Sequence, residues 1–579
     1  MNWLANQKYR KIADNEIFLI ESKQFGSAEI NVAVIYPNRY HIAMSNLGYL
    51  SIYAQLNKRE DVVCHRGVLP EDENQPFLAL ESLKPFLEYD IIGFSVSFEM
   101  DYINIVKQLE MAKIPVYSKD RNERFPLIIC GGPSVTFNPE PLADFIDLFV
   151  IGEGEEVIHE LIEVYNESRH LSKEQMLFNL AQIEGIYVPR FYEPLYNETG
   201  TVKEIKAIKK HVKIPIKKRW VKNLDKYDTC SFVLTPNTEF GDMFLIEISR
   251  GCGRNCRFCM AGYCYRIPRN RSIKHVIRLA EEAVRYRNRV GLVGAAVSDY
   301  PYIDDLSNEL VSRGISFSVA SLRADSLTET LAENLAKSGQ KTITIAPEAA
   351  SQKMRNIINK GINEEDIFNS LELASKKGIQ NVKLYFIIGL PGENEEDVFE
   401  IINLTNKIRC FLDKTTSTKS RITLSINPFI PKPFTPFQWF PLKDIDGLNA
   451  DKKMLQKNLN KIPGVKTIFE SIPWSKIQCL LARGDRRLGD VIYKAFKYGA
   501  TMGAWKKALK NTGLDWNFYT HRKIPYDEVL PWDHIDIGIK KSFFIQESKR
   551  AMMGLPTTKC SDEKCQTCMI CAGLKEVTR

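Results

Sequence analysis

Residues 243–259 read MFLIEISRGCGRNCRFC, an apolar strand pattern followed at once by a loop with three cysteines. Cys252, Cys256 and Cys259 have the spacing C-x3-C-x2-C. Ferredoxin clusters use four cysteines, so three thiolates on one loop can bind three irons of a [4Fe–4S] cubane and leave the fourth iron open to a substrate or cofactor. A zinc knuckle is the alternative. It would need a fourth Cys or His nearby, and Cys264 is a candidate, although its C-x4-C offset is not a usual finger spacing.

Apolar strands and helical segments alternate from this loop as far as ITLSINPF at residues 422–429. Six such β/α units predict a partial (β/α)6 barrel over residues 241–445. The proline-rich segment at residues 428–442 is expected to pack over the barrel mouth, because proline disfavours regular structure. A mainly helical region with a cysteine-rich tail is predicted over residues 446–579.

An earlier alternation of the same kind occupies residues 1–165, with short strands such as INVAVIY and LFVIG. It predicts a doubly wound parallel sheet, so the expected fold class is α/β. The carboxyl ends of parallel strands build ligand crevices, which makes the glycines found there candidate cofactor-binding residues. These glycines are Gly131, Gly132, Gly152 and Gly154. Residues 166–240 are polar and basic and are predicted to form an irregular connector.

The composition, with 44% hydrophobic and 26% charged residues, is typical of a globular protein. No apolar run reaches the roughly 18 residues of a membrane span, and the N-terminus has no apolar signal segment, so we expect a cytoplasmic protein without a membrane partner. A net charge of +8 is modest for 579 residues. It neither requires nor excludes a nucleic-acid partner, and the basic run at residues 209–222 is interpreted as a solvated face.

A second cysteine cluster lies in the tail, with the spacing C-x4-C-x2-C-x2-C. Its members are Cys560, Cys565, Cys568 and Cys571. Four thiolates within 12 residues predict a second metal site, which suits tetrahedral zinc and a fully ligated [4Fe–4S] cluster alike. The short C-x2-C-x2-C run favours iron–sulfur, and the expected roles are electron relay or structural closure.

The first triad, with the aromatic Phe258 just before the third cysteine, resembles the radical S-adenosylmethionine (SAM) superfamily over about residues 240–430. The resemblance implies that SAM chelates the open iron, that one electron cleaves its C–S bond, and that a 5′-deoxyadenosyl radical results. It also implies cofactor-binding roles for Phe258 and four strand-end residues. These are Ser298 for the amino group, Arg323 for the carboxylate, Glu348 for the ribose or amino group, and Gly389 beside adenine. The Gly-Gly-Glu type motif usual near the amino group is replaced here by Gly294-Ala-Ala-Val-Ser298.

A doubly wound sheet placed before such a barrel resembles the cobalamin-binding domain of one large branch of the superfamily. The implied cofactors are a [4Fe–4S] cluster, SAM and cobalamin, with the strand-end glycines lining the corrin and nucleotide-tail pockets. The D-x-H-x-x-G fingerprint is absent, and neither His41 nor His65 has the required aspartate, so the cobalt is expected to lack a protein histidine ligand. Across nearly its whole length the chain resembles an uncharacterised family of such enzymes with a C-terminal cysteine cluster.

The leading hypothesis is a cobalamin-dependent radical SAM enzyme that transfers a methyl group or rearranges its substrate, with flavodoxin or ferredoxin as the electron donor. The catalytic residues and the substrate have no readable signature. One alternative is sulfur insertion into tRNA or protein with the tail cysteines as an auxiliary cluster. The other is a non-enzymatic iron–sulfur or zinc protein that associates with RNA.

Overall fold

The computed structural model describes residues 12, 14–72, 75–241, 243–415, 420–560 and 568. Two tail cysteines of the predicted second metal site, Cys565 and Cys571, lie outside these residues. The predicted fold class is confirmed: a doubly wound sheet, a partial barrel and a mainly helical region follow one another along the chain. Within the described part, no helix is both long and apolar enough to span a bilayer.

The first region is a six-stranded sheet in the order β3-β2-β4-β5-β6-β7, parallel except for the last pair. Its strands are almost wholly buried, as expected when helices cover both faces of a parallel sheet. The strands of this part are β1 (Ile17–Phe18), β2 (Ile30–Tyr36), β3 (Val62–Val68), β4 (Ile91–Ser95), β5 (Leu127–Gly131), β6 (Leu148–Val150) and β7 (Ile186–Tyr187). The helices are α1 (Tyr40–Ala43), α2 (Leu47–Asn57), α3 (Tyr102–Met111), α4 (Pro133–Phe137), α5 (Gly154–Ser168) and α6 (Lys173–Leu180).

The stretch predicted as an irregular connector contains more regular structure than expected. It holds α6 and β7, a hairpin of β8 (Tyr192–Tyr196) with β9 (Val202–Ala207), and the short strands β10 (Ile216–Lys217) and β11 (Val233–Leu234). β7 extends the six-stranded sheet, and β11 pairs with β1. These short strands form by pairing with distant parts of the chain, which a local sequence pattern does not reveal.

The second region is the partial barrel, built from two parallel sheets that a bridge between Leu322 and Ile345 connects. Its strands are β12 (Met243–Glu247), β15 (Arg289–Val293), β16 (Ser316–Val319), β17 (Thr342–Glu348), β18 (Asn381–Ile388), β19 (Ile422–Pro428) and β20 (Val465–Phe469), and the hairpin strands β13 (Ser249–Arg250) and β14 (Arg269–Asn270) flank the triad loop. Its helices are α7 (Ala261–Cys264), α8 (Ile273–Ala283), α9 (Ile303–Ser312), α10 (Glu329–Lys337), α11 (Gln352–Ile357), α12 (Glu364–Lys376), α13 (Glu395–Thr415) and α14 (Ile445–Leu459). β20 is a seventh parallel strand, paired with β19, in a region predicted to be helical.

The remaining chain is mainly helical, as predicted. Its helices are α15 (Ile472–Arg483), α16 (Leu488–Lys497), α17 (Met502–Thr512), α18 (Trp516–Thr520) and α19 (Lys541–Met552), and β21 (Ile535–Asp536) pairs with β10. The proline-rich segment before it is irregular, and its residues Phe437 and Trp439 are fully buried. After α19 the chain continues as residues 553–560 towards the triad loop, and we name residues 555–560 the C-terminal strap.

Candidate functional site

The triad loop begins at the end of β12, where the backbone must turn sharply. Gly251 has φ +85°, and a Cβ atom there would lie 2.0 Å from the carbonyl oxygen of Tyr265. A side chain would therefore collide with backbone, so only glycine fits this position. The antiparallel pairing of β13 with β14 closes the base of the loop and fixes where its cysteines lie.

Two of the three thiols of the loop, those of Cys252 and Cys259, lie where burial disfavours the thiolate form. Burial raises the pKa of Cys252. For Cys259, burial and the neighbouring Cys256 and Cys252 raise the pKa to about 12, while the backbone N–H groups of Gly262 and Ala261 oppose this rise. Cysteines bind iron as thiolates, so cluster binding must release protons from these thiols. The backbone N–H groups of Gly262 and Ala261 then stabilise the negative charge of the Cys259 thiolate. This donor set fits a cubane with one open iron.

The zinc alternative would use Cys264 as the candidate fourth ligand. Cys264 is buried in α7. Among the described residues, no three His, Cys, Asp or Glu side chains are arranged to bind a single metal ion. A cubane places each sulfur on a different iron and does not require such an arrangement.

Ser298 and Arg323, predicted to bind the two ends of SAM's methionine part, lie together beside the triad. The Ser298 hydroxyl accepts a hydrogen bond from the Arg323 backbone N–H at 3.1 Å. The Arg323 guanidinium donates to Asp325 at 2.9 Å and to the Lys360 carbonyl at 2.8 Å. Asp325 is also bound by Arg254 of the triad loop, at 2.8 Å. Arg323 thus already has a carboxylate partner in the chain, and binding a ligand carboxylate would require it to share or exchange Asp325.

Glu348 lies at the end of β17 with φ +64°, a conformation that a non-glycine residue rarely adopts. Its carboxylate accepts from the Lys360 ammonium at 3.2 Å. Burial lowers the pKa of Lys360, but Glu348 and Cys256 more than compensate, so this pKa is raised. A fixed positive charge therefore lies next to the triad, on a residue that the sequence analysis did not select.

Phe258 and the loop after β18 form the apolar side of the site. Phe258 packs against a buried cluster that includes Leu390 and Phe429. Gly389, the residue before Leu390, has φ +80° and donates its backbone N–H to Glu393 at 2.6 Å. Burial raises the pKa of Glu393 to about 8. The structure thus brings Phe258 and the glycine turn after β18 to the same apolar surface.

A cavity of about 380 Å³ lies between the carboxyl edge of the first sheet and the triad loop. All four glycines predicted as cofactor-binding residues line it, together with Gly251 and Tyr265 of the loop. Two of these glycines have positive φ, and a Cβ atom at Gly132 or Gly152 would lie 2.4 Å or 2.1 Å from a backbone oxygen. The sequence-predicted crevice therefore exists, and it faces the triad loop directly.

A buried charge network joins the two sides of this cavity. Arg250 contacts Glu153 at 2.9 Å, Glu155 at 2.7 Å and Glu247 at 2.9 Å. Arg269 contacts Glu153 at 2.7 Å. Burial alone would raise the pKa of Glu153, but Arg269 and Arg250 lower it to about 2. Sequence reasoning missed this network, because nothing in the spacing of Glu153 and Arg250 indicates that they meet.

The backbone of the C-terminal strap is held across the triad loop by one backbone–backbone hydrogen bond and by the side-chain amides of Asn255 and Asn359. The Cys560 N–H donates to the Gly253 carbonyl at 2.7 Å, and the Asn255 amide donates to the Thr558 carbonyl at 2.7 Å. Asn359 exchanges two hydrogen bonds with Thr557, at 2.8 and 3.1 Å. The first cysteine of the tail therefore lies against the residue that follows Cys252. Cys568 is buried.

Two family profiles match the chain. "Radical SAM proteins, N-terminal" matches residues 48–189, and "Radical SAM superfamily" matches residues 246–405. An uncharacterised protein of Methanocaldococcus jannaschii, MJ0966, is 34% identical over 82% of this chain and 94% of its own length. An uncharacterised methyltransferase of Pyrococcus horikoshii, PH0819, is 26% identical over 62% of this chain and 73% of its own length.

Solved structures with a similar fold have low sequence identity to this chain. OxsB, a cobalamin-dependent S-adenosylmethionine radical enzyme, is 18% identical with a TM-score of 0.48, covering 84% of this chain and 70% of its own. TsrM of Kitasatospora setae, a radical S-adenosylmethionine methyltransferase, is 15% identical with a TM-score of 0.46, covering 69% of this chain and 75% of its own. From its cysteine triad, its barrel and the profile that matches them, the chain belongs to the radical SAM superfamily.

Proposed function

We propose that this protein cleaves SAM reductively at a [4Fe–4S] cluster bound by Cys252, Cys256 and Cys259, and that it works with a corrinoid to transfer a methyl group or rearrange its substrate. A bound cluster would supply the electron that breaks the C–S bond and yields the 5′-deoxyadenosyl radical. A bound corrinoid would supply a cobalt that carries the methyl group. The substrate stays unassigned.

The observation that carries the corrinoid proposal is the cavity between the glycine edge and the triad loop. It is formed by the residues that a cofactor shared between the two regions would have to contact. Its size lies at the low end of the roughly 300–1,000 Å³ found for small-molecule pockets, so it suits one part of a large cofactor rather than all of it. The relative from Pyrococcus horikoshii that is named a methyltransferase supports methyl transfer as the reaction.

Two histidines of the first region, His41 and His65, bear on how a corrinoid would be held. No histidine is among the described residues that line the cavity. His65 lies in β3 and contacts Tyr89 at 2.7 Å, and His41 faces Glu239 at 3.3 Å. We therefore propose that the cobalt has no protein nitrogen ligand. Electron paramagnetic resonance of the Co(II) state of bound cobinamide, a corrinoid without a lower base, tests this directly, since nitrogen hyperfine splitting would then have to come from the protein and would contradict the proposal.

The side chains around the triad prepare the site for SAM in distinct ways. Lys360 and Arg254 place positive charge near the thiolates, and Arg323 with Ser298 offers polar contacts for the amino and carboxylate groups. Phe258 and Leu390 provide an apolar wall where adenine can pack. These are binding and orienting roles, and they bring SAM to the open iron without any of these residues reacting.

The central test compares two cysteine variants in protein reconstituted anaerobically with iron and sulfide. Cys256→Ala is expected to lose the cluster and to make less than about 1% of the 5′-deoxyadenosine made by the wild type with dithionite and SAM, because two thiolates cannot hold the cubane. Cys264→Ala is the matched control, since this buried cysteine on α7 belongs to the zinc alternative only. Full activity of Cys256→Ala would contradict the proposal, and loss of metal from Cys264→Ala would favour zinc.

We also propose that the tail cysteines bind a second metal, with flavodoxin or ferredoxin as the external one-electron donor. The strap supports a relay role, because it holds Cys560 beside the loop that carries Cys252. Sulfur insertion, the alternative reaction for an auxiliary cluster, would be recognised by a product that carries a thiomethyl group.

A further inference from the structure

The positive charge of this protein is concentrated in one part of the chain. Residues 471–523 contain seven lysines and four arginines but only three acidic residues, all aspartates, so this segment alone has a formal net charge of +8. The whole chain also has a net charge of +8, so the charges of all other residues balance. Asp515 is the only acidic residue between positions 491 and 526. The excess positive charge therefore belongs to helices α15–α18, and it is a local field that attracts a polyanion.

Three exposed lysines of α17 form no ion pair with a described residue. Lys506, Lys507 and Lys510 lie on the same side of the helix, because residues three and four positions apart are neighbours on its surface. Like charges at these spacings destabilise a helix. The two lysines of the preceding helix α16, by contrast, both contact carboxylates, at 2.8 and 2.6 Å. The charge on α17 is therefore left for an anionic partner to neutralise.

Aromatic rings flank these lysines on both sides. The Lys507 ammonium lies 4.2 Å from the centroid of the Tyr498 ring, and Tyr498 is 36% exposed. On the other side, the Lys506 ammonium lies 6.0 Å from the half-buried Trp516 ring, and Lys476 of α15 lies over the same ring at 4.0 Å. We name this surface the lysine face, and its members are Lys476, Tyr498, Lys506, Lys507, Lys510 and Trp516.

Exposed cations interleaved with aromatic rings are typical of surfaces that bind single-stranded nucleic acid. Lysines contact the backbone phosphates, while unstacked bases pack on the rings in a way that tolerates any sequence. A duplex suits the surface less well, since its bases are stacked on one another and cannot pack on protein rings.

Two other anionic partners fit this surface less well. An anionic membrane would need an apolar surface to insert, but the apolar residues Ala504, Trp505, Ala508 and Leu509 of α17 are buried. An acidic electron carrier would have to approach the triad. Two cavities, of about 380 and 570 Å³, border the triad loop, and among the described residues that line them none belongs to the lysine face.

We propose that the lysine face binds a single-stranded segment of nucleic acid, with the three lysines of α17 on its phosphates and its bases stacked on Tyr498 and Trp516. The inference goes beyond the proposed function, because this binding needs neither SAM nor a corrinoid. RNA and DNA strands offer the same phosphates and bases, so the probes below include both.

The test measures binding of labelled strands to the full-length protein by fluorescence anisotropy. The probes are RNA and DNA strands of about 20 nucleotides with mixed sequence, at salt concentrations from about 50 to 300 mM. Four lysine contacts predict that the logarithm of the association constant falls with the logarithm of salt concentration with a slope of about −3.

Two variants separate the charges from the rings. The triple variant Lys506→Gln, Lys507→Gln, Lys510→Gln is expected to bind about 10-fold more weakly at about 100 mM salt and to show a slope of about −1, since only one phosphate contact remains. Tyr498→Ser removes stacking but no charge, so it should weaken binding about 5-fold and leave the slope unchanged.

The matched control is the triple variant Lys203→Gln, Lys206→Gln, Lys210→Gln. These lysines are exposed and lie on β9 and in the basic run that the sequence analysis interprets as a solvated face. This variant loses the same three charges and should bind within about 2-fold of the wild type. Because all six replaced side chains are exposed, both triple variants should melt at the temperature of the wild type.

Binding of a strand that is weakened only by the α17 variant supports the proposal, and the tighter bound of the two strands identifies RNA or DNA as the partner. Equal weakening in both triple variants would overturn it, because net charge alone would then control binding. A duplex bound as tightly as a single strand, or no binding of either strand, would also overturn it. So would binding only to vesicles of phosphatidylglycerol and phosphatidylcholine that depends on the α17 lysines, which would assign the lysine face to a membrane.

Discussion

Gly251, the residue before Cys252, is a position in the triad loop where the surrounding backbone leaves no room for a side chain. A methyl group there would lie 2.0 Å from the Tyr265 carbonyl oxygen, and φ is +85°. Gly251→Ala is expected to lower the free energy of unfolding by about 3 kcal/mol and to reduce the iron content after reconstitution below half.

Gly314→Ala separates the steric effect from backbone strain. Gly314 has φ +74°, and an added Cβ atom would meet nothing within 4 Å. Gly314→Ala should lower the free energy of unfolding by only about 1 kcal/mol and keep the iron content of the wild type. Equal iron contents in the two variants would show that the close approach at Gly251 does not matter.

Glu153 is expected to make stability depend on pH, because its pKa is lowered from 4.5 to about 2. A carboxylate whose pKa is lower in the folded state contributes stability above its unfolded pKa and loses it as the pH falls towards the folded value. Glu153→Gln should therefore destabilise the protein by about 3 kcal/mol at pH 7. The stability difference between variant and wild type should shrink from about pH 5 towards pH 2, as followed by urea unfolding.

The control for Glu153 is Glu160→Gln. Glu160 pairs with Arg219 at 2.5 Å, but its side chain is 43% exposed. Exposed ion pairs contribute at most about 1 kcal/mol to stability, so the free energy of unfolding of Glu160→Gln should stay close to that of the wild type at every pH. If Glu153→Gln were as stable as the wild type at every pH, the buried charge network would not be what links the two regions.

At the scale of elements, the C-terminal strap is expected to clamp the triad loop. The Thr557 hydroxyl donates to Glu547 of α19 at 2.6 Å and accepts from Arg257 of the loop at 3.2 Å. Thr557→Val keeps the shape but removes these two bonds and a third that the hydroxyl accepts from Arg550 at 3.4 Å, so the strap should open more often. Trypsin should then cleave after Lys559 several-fold faster than in the wild type, as measured by mass spectrometry.

Thr405→Val provides the comparison for the strap. Thr405 is buried in α13, and its hydroxyl donates only to the Ile401 carbonyl of its own helix. Cleavage after Lys559 should be unchanged in this variant. Unchanged cleavage in Thr557→Val as well would show that the strap is held by its backbone bonds alone.

At the scale of the whole molecule, two metal sites should be separable by their iron content. A variant with alanine at Cys252, Cys256 and Cys259 isolates the tail and should retain about four irons per chain if the tail holds a cluster. Serine at the four tail cysteines should leave the triad's cluster and 5′-deoxyadenosine formation with dithionite intact, while slowing reduction by flavodoxin. One zinc per chain in the triad variant would assign structural closure to the tail. A triad variant that contains neither iron nor zinc would contradict the second metal site.

The sequence by itself determined the fold class, the triad, the strand-end glycines and the absence of the cobalt-ligating fingerprint. These features are local: they depend on the periodicity of apolar residues and on the spacing of a few cysteines and glycines within one loop. The same information predicted the tail site from its four cysteines, and that site stays a prediction.

Only the tertiary structure decided which of these features meet. The contact of Glu153 with Arg250, the position of Lys360 beside the triad and the strap over Gly253 all join residues from different elements. β20 and the short strands of the expected connector also exist through pairing with distant segments. Contacts between residues far apart in sequence depend on how whole elements pack, and no local pattern encodes that packing.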